Sequence, residues 1–424
     1  MEMLTSRALG VAALAMGVSL AAVAADEVSS RPTFSKDVLP ILQENCIDCH
    51  RPAGLNLSGM IAPMSLMTYE EVRPWAKAIA KAVAGRQMPP WHAAEEFDGV
   101  FHEERTLSTA ERETIARWVE QGGTRGNPKD APAPIEFSEG GWQIEPDLIV
   151  SFDEPLFVGD DETDLQTDIW GTVPEDSLLE DAWIQSIEFR PGSEMVHHYI
   201  AYEAKRTSEG KFVDATGAWL GAGAPGTTPF HYPDGYGVKY GEDSHIRFNM
   251  HYFKEAGPGT GKWDQSSFAL QFQKEPVTHP ITISAIMGVS DFEVPPFASD
   301  WRVGGQKTFT KESHLISMAP HTHFRGVAAK YTAFYPDGTM EVLFEAPEYE
   351  YAWQVVYSYK DMKVLPAGTR VEWEVTYDNS VENAEARGFD ASQTVSNGLR
   401  ADDEMSIGFH SFANAEPVKT SGTD

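Results

Sequence analysis

His321 and His323 stand two apart in Ala319-Pro-His-Thr-His-Phe-Arg325. On extended backbone, side chains alternate between faces, so both imidazoles leave from one side and can meet a single transition-metal ion. The same pair also occurs on surface strands that bind nothing, so the rest of the chain has to decide. Three further pieces carry comparable groups. His197 and His198 are adjacent in Glu194-Met-Val-His-His-Tyr199. They can share an ion only at a bend or bulge; otherwise one is a buried histidine and the other unrelated to it. In His245-Ile-Arg-Phe-Asn-Met-His-Tyr252, Ile246, Phe248, Met250 and Tyr252 make the apolar face. His251 lies opposite, with Arg247 and Asn249, and reads as either a ligand or a plain surface histidine. Met405, in Asp402-Asp-Glu-Met-Ser-Ile407, shares a face with Ile407 and Phe409. It is either a core methionine or a soft thioether of the kind that favours Cu(I).

A second chemistry sits near the N-terminus. The chain has two cysteines, both in Cys46-Ile-Asp-Cys49-His50. Cys-x-x-Cys-His is the attachment signature of a c-type haem: two thiols bond the porphyrin and the histidine binds iron from one side. A redox dithiol expects a βαβ setting and a zinc site expects two more ligands, and neither accompanies the motif. Met88, in the proline-rich Gly85-Arg-Gln-Met-Pro-Pro-Trp91, is the expected sixth ligand, and a thioether there raises the potential. Met60, Met64, Met67 and His92 compete with it. With both cysteines spent, disulfides between distant strands are impossible, and blue-copper or iron–sulfur sites elsewhere are excluded.

The elements that position these groups follow from periodicity. Residues 33–125 read as helical: Val72, Trp75, Ala76, Ile79, Ala80 and Val83 recur at helical spacing. A further helix opens on the capping box Ser108/Glu111 and stops at Gly122-Gly123. Residues 126–135 form a linker rich in proline and glycine. Beyond it the pattern alternates, as in Leu148–Phe152, Trp183–Phe189, Lys330–Phe334, Met340–Phe344 and Thr369–Tyr377. The turn Tyr335-Pro-Asp-Gly338 joins two of these. Many short strands imply sandwiches, and about 290 residues suit two of them. The seam is expected near Asp291-Phe-Glu-Val-Pro-Pro296. The organisation expected is a small all-α domain at 33–125, β-sandwiches at 136–290 and 291–415, and a tail at 416–424.

The N-terminus reads as an export signal over 1–24, with Arg7, an apolar run from Ala8 to Ala21 and the small-residue site Ala22-Val-Ala24. A periplasmic protein with no inserted segment is expected, since no other stretch is long and apolar enough to span a membrane. With 42% hydrophobic and 23% charged residues the chain is that of a folded protein. Its formal net charge of −31 argues against nucleic acid and anionic lipid as partners, and is compatible with a basic redox protein.

Residues 33–125 resemble a small class I cytochrome c in their helices, haem motif and distal methionine. Residues 135–412 resemble the copper type II monooxygenases, the family of peptidylglycine α-hydroxylating monooxygenase and dopamine β-monooxygenase. The resemblance rests on His197-His198, His251, His321-x-His323 and Met405, which follow the family's order, with the methionine inside Asp-Glu-Met. It implies two jelly-roll-like domains flanking a solvent-filled cleft, with one copper in each. It further implies that His197, His198 and His251 hold an electron-supplying copper, and that His321, His323 and Met405 hold the copper that meets O₂. A small organic substrate would then be hydroxylated. The chain departs from the family in lacking disulfides, in Ala319 where the peptide hydroxylase has a carboxylate-gripping arginine, and in Phe409 where it has a tyrosine. A C-terminal glycine peptide is therefore not the expected substrate. Ascorbate is the family reductant, whereas here a fused cytochrome, an external basic redox protein or a small reductant would supply electrons. The other readings are a non-catalytic copper or electron carrier, and a reductase of O₂ or a nitrogen oxide with no organic substrate. A polysaccharide monooxygenase fares worse, since it needs histidine at the mature N-terminus and the expected cleavage leaves Ala25 or Asp26.

Overall fold

Alternating apolar and polar residues drive the chain into one strand after another between Leu148 and Asn414, and the described helices other than Val381–Arg387 precede them. The computed structural model describes residues 28–51, 64–136, 142–173, 182–209, 211–224, 227–241 and 245–418. The expected signal sequence 1–24 with its cleavage site, Met60, and the end of the tail from 419 lie outside these residues.

Thr369–Tyr377 illustrates how directly pattern becomes structure. The strand forms over Arg370–Tyr377, and Val371, Trp373, Val375 and Tyr377 are the buried positions. The turn at Tyr335-Pro-Asp-Gly338 closes by Gly338 N–H donating to Tyr335 O at 3.0 Å, with Gly338 at φ 89°, a conformation glycine adopts without a Cβ penalty. It joins Gly326–Phe334 to Met340–Ala346 in antiparallel register.

Three main sheets carry the β region. One long sheet orders its strands Leu148–Ser151, Ser267–Phe272, Trp183–Arg190, Tyr236–Lys239, His279–Met287, Ile407–Asn414, Ser313–His321 and Tyr357–Leu365. A four-stranded sheet of Asp164–Thr172, His245–Phe253, Val196–Arg206 and Phe212–Gly223 packs on its first half. Another, of Trp301–Thr308, Arg370–Tyr377, Gly326–Phe334 and Met340–Ala346, packs on its second half. The halves are not separate sandwiches on a tether: Tyr236–Lys239 and His279–Met287 pair in parallel, through His279 with Tyr236 and Pro280 with Gly237. His279–Met287 also pairs along Ile281–Met287 with Ile407–Asn414. The change-over between halves therefore runs ahead of the 291–296 seam read from the sequence.

Leu39–Asn45, Tyr69–Val72, Ala76–Ala84 and Thr109–Glu120 form the helical part, around Phe34, Val38, Leu42, Val72 and Trp118. The Ser108/Glu111 capping box forms as expected, and Thr68/Glu71 makes a second one. Between these helices the chain does something periodicity does not announce. Residues 91–102 leave the helical part and plug the open edge of the second half. Ala94 N–H donates to Glu345 O, and His102 N–H to Ser358 O, both at 2.8 Å. Trp91, Phe97 and Phe101 are buried among Phe344, Tyr357 and Tyr359. The expected 33–125 unit thus gives its central loop to the neighbouring β core. No helix among the described residues is long and apolar enough to cross a membrane.

One core histidine makes stability depend on pH. His410, 4% exposed, bonds Gly408 O at 3.2 Å through Nδ1. Burial, aided by the Lys307 ammonium, pushes its pKa down to about 4. Between about pH 6.5 and 4 the unfolded chain takes up a proton that the fold refuses, so stability falls as pH falls. The loss attributable to this residue is on the order of 2–3 kcal/mol. Urea midpoints at pH 7 and pH 4.5 should differ less in His410→Phe than in the wild type. Equal pH differences in both would remove His410 as the cause.

Candidate metal centre

His197 and His198 meet the condition set by their adjacency. Val196 pairs with Tyr252 but His198 pairs with His251, so the register slips at His197 and forms a bulge. The slip turns both rings to one side. Their Nδ1 atoms lie 3.1 Å apart, and the ligand atoms of His197, His198 and His251 all lie within 4.8 Å of one another. His251 is not the surface residue its position opposite the apolar face suggested. It is 1% exposed because the second half covers that face: Gln166 Nε2 donates to Leu399 O at 2.6 Å and Ala401 N–H donates to Asp164 Oδ2 at 3.0 Å. Asp164 Oδ1 accepts from His251 Nε2 at 2.9 Å. Nδ1 of His251 therefore keeps its lone pair, and no protein group meets it among the described residues. A carboxylate that fixes the tautomer and frees the other nitrogen is the usual outer partner of a metal-binding imidazole.

The second pair is prepared in the same way. His321 ends the strand Ser313–His321, and His323 stands in the turn that follows, with ring centroids 5.3 Å apart. His321 Nδ1 bonds Gln354 Oε1 at 2.9 Å, and His323 Nδ1 bonds Asp403 O at 3.2 Å. Carbonyl oxygens only accept, so both Nδ1 atoms carry the proton and both Nε2 atoms keep lone pairs. Nε2 of His323 is buried without a protein partner. Met405 follows two residues after Asp403, whose carbonyl meets His323 Nδ1, and two before Ile407, which pairs with His321; its own carbonyl accepts from Tyr377 Oη at 2.6 Å. Glu404 braces this crossing. Its carboxylate accepts from Thr322 Oγ1 and His323 N–H at 3.0 Å and from Arg325 N–H at 2.6 Å. Burial nevertheless pushes its carboxyl up to about 7. The charge and accepting oxygens of Glu404 set the turn that carries His323. Glu404→Gln places an NH₂ against one of those donors and should weaken any metal binding at this pair about 10–100-fold. Competition with a Cu(I) chelator would measure it, and an unchanged affinity would reduce Glu404 to a packing residue.

The two histidine groups are not held apart. His198 and His321 have ring centroids 5.6 Å apart, and Tyr351 stacks on His197 at 4.4 Å while its ring centroid lies 5.7 Å from that of His323. The solvent-filled cleft implied by the family resemblance is not seen between these rings. The shared long sheet and the 349–354 and 399–405 segments close it. Burial is the leading cause of lowered basicity at four of these rings: it takes His197 down to about 3 and His321 to about 4, and holds His198 and His323 well below the usual histidine range. Nearby histidines would repel any proton taken up. Neutral imidazoles are the form that binds metal.

In the helical part, Cys46, Cys49 and His50 occupy one turn after Leu39–Asn45, and His50 N–H donates to Cys46 O at 2.9 Å. Both thiols are free. Burial pushes Cys46 up to about 12 and raises Cys49 also, so neither is the ready thiolate a redox dithiol requires. His50 Nδ1 donates to Met64 O at 3.2 Å, which leaves Nε2 for a metal. Met88 lines a cleft with Trp91, Arg105 and Leu107. Met64 and Met67 pack against the helical core. His92 lies towards the second half, its backbone N–H 3.4 Å from Tyr357 Oη.

No family model and no curated protein matches the chain. Among solved structures it is similar to the cowpea mosaic virus top component, at 6% identity and a TM-score of 0.30, over 68% of this chain and 99% of that one. It is similar to broad bean stain virus at 8% identity and a TM-score of 0.29, over 65% and 91%. The major capsid protein P2 of bacteriophage PM2 matches at 8% identity and a TM-score of 0.24, over 64% and 100%.

Proposed function

We propose that this chain is an exported, periplasmic, haem-fused dicopper monooxygenase, built as an all-α cytochrome c unit followed by two jelly-roll-like sandwiches. The observation that carries the reading is the preparation of lone pairs. In the first group ligand nitrogens converge within 4.8 Å and Asp164 frees Nδ1 of His251, and in the second Nε2 atoms are freed by acceptors on Nδ1. Buried imidazole nitrogens with no protein partner cost about 1–3 kcal/mol each, a loss a bound metal would offset.

His197, His198 and His251 would hold one copper, and His321, His323 and Met405 the other, with the Met405 thioether favouring the reduced ion. Copper, when bound, supplies one-electron chemistry and a site for O₂. The chain's residues do the rest. Asp164, Gln354 and the Asp403 carbonyl fix ring orientation, Glu404 holds the turn, and Tyr351 shields the space between the groups. One oxygen atom would enter a C–H bond of a small organic substrate, and the other would leave as water. Two electrons and two protons balance the step. Cys46 and Cys49 would attach a c-type haem, with His50 and Met88 on its iron, whose role is to pass electrons inward from a basic redox protein or a small reductant.

Labelled O₂ tests this directly. With reductant and a metabolite library, one labelled oxygen should appear in an organic product, and O₂ uptake should depend on that substrate. Uptake with reductant alone, or none at all, would replace the monooxygenase with an oxygen reductase or a carrier.

A further inference from the structure

The space beside His321 gives a chemical class for the substrate. A cavity of about 80 Å³ lies where Phe212–Gly223 passes over the junction of the long sheet's halves. Ile187, Phe189, Trp219, Ile283, Ala319 and Phe409 supply much of its wall. Ser317, Ala319 and His321 alternate onto one face of their strand, and Ala319 pairs with Phe409. The cavity therefore lies on the sheet face that also presents His321; that ring is outside its wall, with its centroid 5.9 Å from that of Phe409, which is in the wall. Trp219 meets Phe409 edge to face at 4.7 Å.

We propose that this cavity is the substrate subsite and that it takes an uncharged, mainly hydrocarbon molecule the size of one ring; the proposal rests on the monooxygenase reading. Among the lining residues none is lysine, arginine, aspartate or glutamate. The polar lining is neutral: Ser317 and Ser411 bond each other at 2.6 Å, Thr227 Oγ1 accepts from Ala224 N–H at 3.0 Å, and Thr228 and Tyr232 add hydroxyls. His410 also contributes to the lining, but strand alternation turns its ring away from Phe409, to stack near Phe412. A carboxylate or ammonium group would thus lose its water and gain no counter-charge, at a cost of several kcal/mol. Trp219 Nε1 is buried without a protein partner. It can donate to one hydroxyl or carbonyl on the guest, so a phenol-like ring is the best-matched case. Ala319 is what makes the room: a longer side chain there would fill the cavity.

Calorimetry on the metal-free full chain separates binding from turnover. Toluene and phenol should bind, with benzoate and benzylammonium at least ten-fold weaker. Ala319→Phe should weaken toluene at least ten-fold while copper content stays as in the wild type. Phe409→Ala should shift preference towards naphthalene, which covers the case of a misfolded Ala319→Phe. Benzoate bound as well as toluene, or toluene unaffected in a folded Ala319→Phe, would overturn the assignment. Toluene bound by a protein that takes up no copper would support the cavity and overturn the enzyme reading instead. Copper uptake without toluene binding would do the reverse.

Discussion

His321→Ala is expected to lower bound copper from two per haem to one and to abolish product formation. His198→Ala should lower copper likewise while sparing the other ion. The expectation comes from the separate bracing of each set: Asp164 holds His251 from one half, and Gln354, Asp403 and Glu404 hold the His321–His323 turn from the other. Losing an outer partner alone costs about 10–100-fold in affinity, and loss of the ligand itself should exceed that. The proximity of His198 and His321, 5.6 Å between ring centroids, makes the experiment discriminating. If the five imidazoles form one shared site, the wild type will hold a single copper and either substitution will empty it. Metal analysis of the pure proteins decides between these outcomes.

Phe101→Ala should destabilise the protein by about 3–5 kcal/mol. Phe101 is fully buried and touches rings on every side: Phe97 at 6.0 Å, Phe344 at 6.1 Å, Tyr357 at 5.5 Å and Tyr359 at 5.1 Å between centroids. Neighbours of that rigidity collapse poorly onto a deleted ring, which places the cost high in the range. The residue also pairs with Tyr359 as an isolated bridge. Its loss should therefore release the 91–102 plug as well as soften the core. A lower urea midpoint is expected, along with faster proteolysis in this segment. A change below about 1 kcal/mol would mean that the plug is held by its backbone bonds alone.

The helices, the strand alternation and the capping box at Ser108 were legible because they depend on neighbours in sequence. Val371, Trp373, Val375 and Tyr377 face inward as alternation requires. The Thr68/Glu71 box carried the same signal and could have been read. The bulge at His197 could only be stated as a condition, since a register slip is decided by the partner strand. His251 looked exposed because its cover comes from residues 399–401, some 150 positions away along the chain. The 91–102 plug was hidden for the same reason. Its aromatic residues look like part of a helical domain until the edge that they fill is present.

The parallel pairing of Tyr236–Lys239 with His279–Met287 makes one plank of hydrogen-bonded backbone run through both halves; it carries His321, and the four-stranded sheet holding His197, His198 and His251 packs on it. The separation of the two histidine groups is then set by that plank and the sheet packed on it, not by the angle of a hinge. If the proposed coppers are held there, electron transfer between them would need no diffusive motion of one half against the other, which elsewhere takes microseconds to milliseconds. Its rate should be indifferent to added glycerol or sucrose, and the strand connection at 273–278 becomes the place where one inserted residue would change the gap.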